Sequence, residues 1–391
     1  MLKRKRGSIL PITVVLLLFG SYTPAFSQGN LKIGPLELHP FIKASEVFTD
    51  NIYQSEEDKE SSFITTFTPG LEFRIPTRWH LLRLEYHNDL IFTSKPKQTL
   101  PNHAASANLD LNFPGGLLLK AGNQYYQSIY PALSEETGLV ERSQNDLSFE
   151  LGYEVTDHWV VKGGYYNTIH NYQESEIMDR MEHKGGSTFL LRILSRTSLL
   201  AEFQGGGIAY KKSTGRNSTF QNGLIGIQGE ITPKTNILLK LGFHHRNYDD
   251  TELSDFSKFI TSFSLLNKLS FYTTLSVTAS RDVSESFWKF NNTYHTSNKA
   301  GLSINRKFLR KFSALLNSSY GLNIYHEEEE VTVGKTKLRK DMILEMEFSL
   351  LYDIQQWLKL SAGYGYRNRS SNFPLLGYSE NRVSFTFAVV F

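Results

Sequence analysis

Charged residues recur at alternate positions in three segments near the carboxyl terminus. They are Glu345, Glu347, Lys359, Arg367, Arg369 and Arg382. After Arg382, the residues Val383, Phe385 and Phe387 occupy every second position. Alternation with a period of two is typical of a β-strand with one apolar and one polar face. We therefore expect the six charges to share the polar faces of neighbouring strands. Their basic excess could guide an anionic solute, or the charges could simply pair across strands.

Residue types that catalyse reactions or bind metals are present, but not in a recognisable spacing. The chain contains 11 His and many Ser, yet no GxSxG, HExxH or phosphate-loop pattern is evident. The neighbouring His244 and His245 would point to opposite faces of a strand, so they cannot bind one metal ion together. The sequence therefore predicts no catalytic residue, no cofactor site and no metal site, and we do not expect an enzyme.

The same alternation recurs along most of the chain. Leu147, Phe149 and Leu151, for example, alternate with Ser148 and Glu150. Such segments predict about eighteen strands, centred near residues 42, 68, 86, 108, 122, 150, 165, 190, 204, 225, 242, 262, 276, 300, 318, 345, 363 and 385. Short turns, such as Thr156–His158 and Asn267–Ser270, are expected to alternate with longer polar loops, such as 128–144.

An even number of strands, with both chain ends on the side of the short turns, predicts a transmembrane antiparallel up-and-down β-barrel. In the outer membrane such a barrel has short periplasmic turns and longer extracellular loops. Aromatic residues make up 13% of the chain, which suits the aromatic girdles of these barrels. A soluble propeller or sandwich is the alternative, but the asymmetry of the connections and the lack of a repeat of about 40 residues argue against it.

The two ends of the chain carry the features of an exported barrel. Lys3–Arg6 is basic, Ile9–Phe19 is apolar, and Ala25–Ser27 supplies small residues before a cleavage site. This predicts a signal peptide over residues 1–27 and a barrel domain over 28–391. Removing the four basic residues of the signal from the net charge of +3 leaves −1, so nucleic-acid binding is not expected. Phe391 resembles the terminal aromatic residue that the outer-membrane barrel assembly machinery reads as an assembly signal.

Two short segments resemble a known family. Gly34–Pro40 and Phe48–Tyr53 are similar to the opening of the putative β-barrel porin-2 family. The resemblance implies an outer-membrane conduit for a secreted polysaccharide that works with a periplasmic polysaccharide-export protein. From the residues alone, a general diffusion or small-solute uptake porin stays open, as does a structural or adhesive barrel that acts through its external loops. Thr49–Asp50–Asn51 could equally form an Asx-type turn that enters the first loop.

The sequence also predicts an aqueous lumen and acidic external loops. An eighteen-stranded barrel is wide enough for an aqueous channel, and residues 128–144 form the longest plausible constriction, although an exposed loop is the other interpretation. Charges on the lipid face would cost about 2–4 kcal/mol near the midplane, so the charged residues of the strands are expected to face the lumen. The acidic runs Glu56–Glu60 and Glu327–Glu330 are expected in external loops. There they could bind divalent cations that bridge lipopolysaccharide, or remain solvated.

Overall fold

The computed structural model describes residues 31–130, 139–173, 176–212, 215–286, 292–332 and 335–391. The predicted signal peptide and its cleavage site lie outside the described residues. Among the residues that are described, no helix is long and apolar enough to cross a bilayer.

The described chain folds into antiparallel strands joined in sequence order. They are β1 (Leu31–Ile33), β2 (Leu36–Thr49), β3 (Ser62–Pro76), β4 (His80–Thr93), β5 (Gln98–Asn112), β6 (Leu117–Ser128), β7 (Arg142–Glu154), β8 (Trp159–Tyr172), β9 (Arg180–Leu194), β10 (Thr197–Tyr210), β11 (Ser218–Thr232), β12 (Thr235–Tyr248), β13 (Phe256–Ser270), β14 (Thr273–Glu285), β15 (Tyr294–Phe308), β16 (Phe312–Thr332), β17 (Lys335–Gln355), β18 (Leu358–Ser371) and β19 (Tyr378–Val390). A single 3-10 turn, Glu176–Met178, interrupts the described connections.

The sheet closes into a barrel through its last and second strands. β19 pairs with β2 in a register that places Phe385 opposite Glu46. Closure satisfies the backbone hydrogen bonds of every strand, as a bilayer requires. Among the described strands, β1 pairs in register with β2 and lies outside the closed ring formed by β2–β19. The predicted eighteen-stranded barrel is confirmed, and each predicted strand centre lies within one of these strands.

The connections follow the predicted asymmetry, with local corrections. Short turns of two to four residues join the strands at the end where Phe391 donates its backbone N–H to Pro40. The opposite end carries longer loops, but the connections after β4 and β16 are as short as the turns. The predicted turn at Asn267–Ser270 is wrong, because these residues lie inside β13 and the chain turns at Phe271–Tyr272.

The acidic run Glu327–Glu330 is not a loop, and that prediction is wrong. It lies within β16, whose 21 residues pair with the equally long β17. Glu328 is opposite Leu338 and Glu329 is opposite Lys337. Polar sequence did not reveal this extension because a hydrogen-bonded hairpin beyond the membrane needs no apolar face. The first acidic run, Glu56–Glu60, does lie in the loop between β2 and β3.

The two faces of the wall differ as the alternation predicts. Apolar side chains point outward and are exposed, for example Phe385 at 60% and Phe243 at 62%. Aromatic rings gather near the turns, where Phe312 stacks on Tyr352 at 4.4 Å between ring centres. The prediction that the charged residues of the strands face the lumen is wrong for Glu46 and Arg281. The register places both on the outward face, where each is bonded to a neighbouring strand.

Candidate functional site

The six charges identified from the sequence share the inner face of the last three strands. Arg367 lies opposite Glu345, and Gly365 lies opposite both Glu347 and Arg382. Residues directly opposite each other in an antiparallel pair project to the same side of the sheet. Lys359 and Arg369 lie on the same face of β18 as Arg367, since an even number of residues separates them. The register therefore brings the set to one side of the barrel wall.

Two of the four basic residues form ion pairs, so the basic residues do not form a continuous positive stripe. Arg367 Nη2 lies 2.6 Å from Glu345 Oε1, and Arg382 Nε lies 2.6 Å from Glu380 Oε1. Arg369 is only 2% exposed and donates from Nε to the carbonyl oxygen of Leu376 at 2.5 Å. Lys359 is exposed at the turn end of β18, about 26 Å along the strand from Arg367 at roughly 3.3 Å per residue.

A cavity runs along this part of the wall. Its volume is about 480 Å³, and its lining includes Glu345, Glu347, Arg367, Glu380 and Arg382. Carboxylates and guanidinium groups therefore alternate along one polar surface. Such a surface can hydrogen-bond neutral polar solutes and hydrated ions of either sign, because its net charge is small.

A second cavity of about 420 Å³ lines the wall formed by strands β7 to β12. Lys240 pairs with Glu202 at 2.6 Å, and Tyr166 donates to Glu150 at 2.5 Å. Lys162 forms no ion pair with any described residue, and Lys184 lies 5.3 Å from the ring centre of Tyr166. Lys162 and Lys184 thus add positive charge to this wall of the lumen.

At the extracellular end, loop residues pack inside the barrel. Ile52 follows β2 and Ile129 follows β6, and both pack with Ile64 and Ile91 in one buried apolar cluster. Ile64 lies opposite Val47, which in turn lies opposite Ser384, so these strand residues face inward. Ile129 is only 1% exposed. The beginning of the loop predicted as a constriction therefore folds into the mouth.

Tyr130 extends this inward contact to a distant strand. The guanidinium carbon of Arg382 lies 5.9 Å from the centre of the Tyr130 ring, although Arg382 is on β19 and Tyr130 follows β6. Arg142 Nε donates to the carbonyl oxygen of Tyr130 at 3.0 Å. The chain after β6 thus reaches past β5, β4, β3 and β2 to the closing strand. It narrows this side of the mouth.

The segment Thr49–Asp50–Asn51 binds the closing strand. The Asp50 carboxylate accepts hydrogen bonds from the Asn381 backbone N–H at 2.7 Å and from its side-chain amide at 2.6 Å. Thr49 donates to Glu380 at 2.7 Å. Asn51 Oδ1 also accepts the backbone N–H of Ser55 at 3.0 Å. The segment therefore caps a turn and also connects the first and last strands of the ring.

A buried acid organises the opposite part of the mouth. Glu285 accepts a hydrogen bond from the Tyr210 hydroxyl at 2.7 Å and is ion-paired with Arg246. Arg216 lies 3.9 Å from the same carboxylate and donates to the carbonyl oxygen of Ser286 at 2.5 Å. Three cationic or hydroxyl groups from different strands and loops thus converge on one carboxylate. The arrangement connects β10, β12 and β14 at this part of the rim.

Sequence analysis missed these mouth contacts. One signal could have found part of them, since an acidic and a basic residue two positions apart lie on the same face of a strand. The pairs Arg180–Glu182, Arg339–Asp341 and Glu380–Arg382 all follow this spacing and form ion pairs. Among the described residues, no group of three or more His, Asp or Glu side chains could hold a metal ion.

Solved porin structures share this architecture. The outer-membrane protein OpdK of Pseudomonas aeruginosa matches with a TM-score of 0.50 and 9% identity, covering 90% of this chain and 99% of OpdK. OpdQ of the same organism matches at 0.50 with 10% identity, covering 92% and 98%. OccK2 (OpdF) matches at 0.51 with 10% identity, covering 93% and 100%. At this identity the likeness is one of fold.

Family membership rests on the sequence of the carboxyl-terminal half. No curated protein matches the chain. The family described as Putative beta-barrel porin 2 matches residues 196–391, which span β10–β19 together with the turn before them. With the closed barrel, the apolar outer wall and the polar lumen, this match shows that the chain is an outer-membrane β-barrel porin and belongs to the Putative beta-barrel porin 2 family.

Proposed function

We propose that this porin is a diffusion channel for small polar solutes. The observation that supports this function is the inward folding of the extracellular loops. Ile52, Ile129 and Tyr130 lie within the mouth and contact the inner wall. Loops in that position reduce the passage to less than the width of the barrel, which suits small solutes better than a polymer.

The lumen chemistry supports weak selectivity. On one wall Arg367 and Arg382 are neutralised by carboxylates, while Lys162 and Lys184 add positive charge on the other. In water at physiological salt, a charge acts over only about 8 Å. We therefore propose a modest preference for small anions. The structural neighbour OpdK has been crystallised with vanillate, a small carboxylate.

Polysaccharide export with a periplasmic partner, the role implied by the family resemblance, is the second candidate. Paired charges could line the path of an acidic polymer, but the narrowed mouth favours the small-solute function. An adhesive barrel that acts through its loops is a third. The three functions differ in what crosses the membrane, so one reconstituted system distinguishes them.

The test combines conductance with solute passage. Purified protein in planar bilayers is expected to give open channels, and in liposomes the swelling rate is expected to fall steadily from mono- to tetrasaccharides. Tyr130→Ala should relax this size limit, because it removes a side chain that crosses the mouth. Tyr272→Ala, in an exposed turn at the opposite end, is the matched control and should leave the limit unchanged.

Two results would overturn the proposal. Channels that stay closed under voltage would favour a structural barrel. In a deletion strain, loss of surface polysaccharide with unchanged permeability to small solutes would favour export.

A further inference from the structure

A third cavity, of about 380 Å³, lies inside the barrel at its extracellular end, next to the Glu285 carboxylate. Its wall includes Arg180, which begins β9, and His244 and Arg246, which lie near the end of β12. His244 and Arg246 share the inward face of β12 with Lys240, because even numbers of residues separate them. None of Arg180, His244 and Arg246 lines the two cavities described above.

Three nitrogen atoms in the wall of this mouth cavity have no hydrogen-bond partner among the described residues. They are Arg180 Nη1, Arg246 Nε and His244 Nε2, and the three residues are no more than 6% exposed. Both guanidinium groups are held in place, because Arg180 Nε donates to Glu182 at 2.7 Å and Arg246 is ion-paired with Glu285. A buried polar atom without a partner costs free energy. These atoms therefore indicate a partner that enters the cavity.

A chain of hydrogen bonds fixes the role of His244 Nε2. The Glu202 carboxylate can only accept, so Gln204 donates to it from Nε2, at 2.5 Å. Gln204 Oε1 then accepts from Asn222 Nδ2 at 3.3 Å, and Asn222 Oδ1 accepts from His244 Nδ1 at 2.7 Å. Lys240 donates to the same carboxylate at 2.6 Å and anchors the start of the chain. In the neutral ring, a proton on Nδ1 leaves a lone pair on Nε2, so His244 Nε2 accepts a hydrogen bond whereas the two arginine atoms donate.

The charges of the cavity wall balance, which disfavours an ionic solute. Three basic and three acidic residues line the cavity: Arg180, Lys184, Arg246, Glu182, Asp282 and Glu285. A carboxylate can only accept, so it could not bond to the lone pair of His244 Nε2. An ammonium group could bond there, but it would face the two guanidinium groups. A hydroxyl group both accepts and donates, so hydroxyl groups match all three nitrogen atoms.

An apolar surface lies beside these polar atoms. It consists of Ile208 and Phe220, and the Phe220 ring stacks on the imidazole of His244 with 5.6 Å between ring centres. A sugar ring carries hydroxyl groups at its edge and C–H groups on its faces, so it can contact both kinds of surface. The cavity volume falls within the range of small-molecule sites, which is roughly 300–1,000 Å³.

We propose that the mouth cavity is a binding site for a neutral polyhydroxylated solute of the size of a monosaccharide. Arg180 Nη1 and Arg246 Nε donate to hydroxyl oxygens, and His244 Nε2 accepts from a hydroxyl group. The proposal rests on the proposed channel function and names one solute class for it. The mouth cavity shares Tyr166 and Lys184 with the second cavity, so a solute that leaves it reaches the wall below.

Binding to the purified barrel in lipid nanodiscs tests the site, because this measurement requires no open channel. D-glucose is expected to give saturable binding by saturation-transfer NMR, whereas glucuronate and glucosamine, which carry a charge, should bind more weakly. Tighter binding of either charged probe, or no saturable binding of glucose, would overturn the proposal. Open channels without glucose binding would refute the site and leave the channel function standing. Closed channels with glucose binding would support the site and refute the channel function.

Two variants test the residues. His244→Phe keeps a ring against Phe220 but removes the acceptor, so the affinity for glucose should fall by roughly threefold to tenfold, the effect of one hydrogen bond. His87→Phe on β4 is the matched control, since the His87 ring also lies beside a phenyl ring, 6.1 Å from that of Phe41, and it should leave the affinity unchanged. Ser284→Trp fills the cavity from β14 and should abolish binding while the barrel stays heat-modifiable. Unchanged affinity in either folded cavity variant, or an equal loss in His87→Phe, would refute the site.

Discussion

Replacing Asp50 by alanine is expected to weaken the closure of the barrel. The Asp50 carboxylate accepts two hydrogen bonds from Asn381, at 2.7 Å and 2.6 Å, across the junction between β2 and β19. A hydrogen bond to a charged group contributes about 1.5–3 kcal/mol to stability, and partial exposure reduces that figure. Because Asp50 is only half-buried, we expect Asp50→Ala to lower the free energy of unfolding by about 2–4 kcal/mol.

The assay is urea-induced unfolding of the refolded barrel in liposomes, followed by tryptophan fluorescence and by gel mobility without boiling. Glu57→Ala is the matched control, since Glu57 is an exposed acidic residue of the same loop. Asp50→Asn retains one acceptor oxygen without the charge, and its stability should lie between those of the wild type and the alanine variant. If Asp50→Ala and Glu57→Ala unfold at the same urea concentration, the reasoning about the junction is refuted.

Three further outcomes are expected. Deleting Phe391 should lower the yield of heat-modifiable barrel in cells, because its ring stacks on Trp357 and its backbone pairs with Pro40; unchanged assembly would contradict an assembly signal there. Lys162→Gln/Lys184→Gln should shift the reversal potential in a salt gradient toward cation selectivity, whereas Lys234→Gln, in a turn outside the lumen, should not. A hydrogen bond from Lys212, reinforced by its charge, lowers the pKa of Glu176 from an ordinary value of 4.5. The contact between Glu176 and Lys212 therefore stabilises the loops after β8 and β10 at a pH above 4.5. It is lost as the pH falls through the lowered pKa of Glu176. A spin label on Gln173→Cys should become more mobile on acidification, and Lys212→Ala should remove the pH dependence.

The sequence predicted the strands and the faces of the barrel well. A strand exposed to lipid on one side and to water on the other must alternate, and this requirement is local. Val383, Phe385 and Phe387 could therefore be assigned to the lipid face, and Arg382 to the lumen, without any tertiary information. Strand ends were less predictable. Glu328 continues the strand β16 because it pairs with Leu338 of β17. This pairing does not require alternating apolar residues, so the sequence pattern does not show it.

The partners of the lumen charges could not be predicted in the same way. Arg382 is neutralised by Glu380, two residues away on the same face, and the spacing could have indicated this pair. The contact between Arg382 and Tyr130 could not be predicted, since it joins a residue of β19 to a residue after β6, and these come together only when the ring closes. The position of Ile129 could not be predicted either, because the residue could face solvent or pack in the apolar cluster at the mouth. An isolated loop sequence gives no indication of it.

The sequence by itself thus determined the number of strands, their alternating faces and the aromatic ends of the wall, because each follows from the alternation of lipid-facing and water-facing side chains along a single strand. Only the tertiary structure decided which loops narrow the mouth and which charges of the lumen form ion pairs. Those features depend on the register between strands. The alignment of Arg367 with Glu345, and of Gly365 with Arg382, arises when neighbouring strands are set side by side.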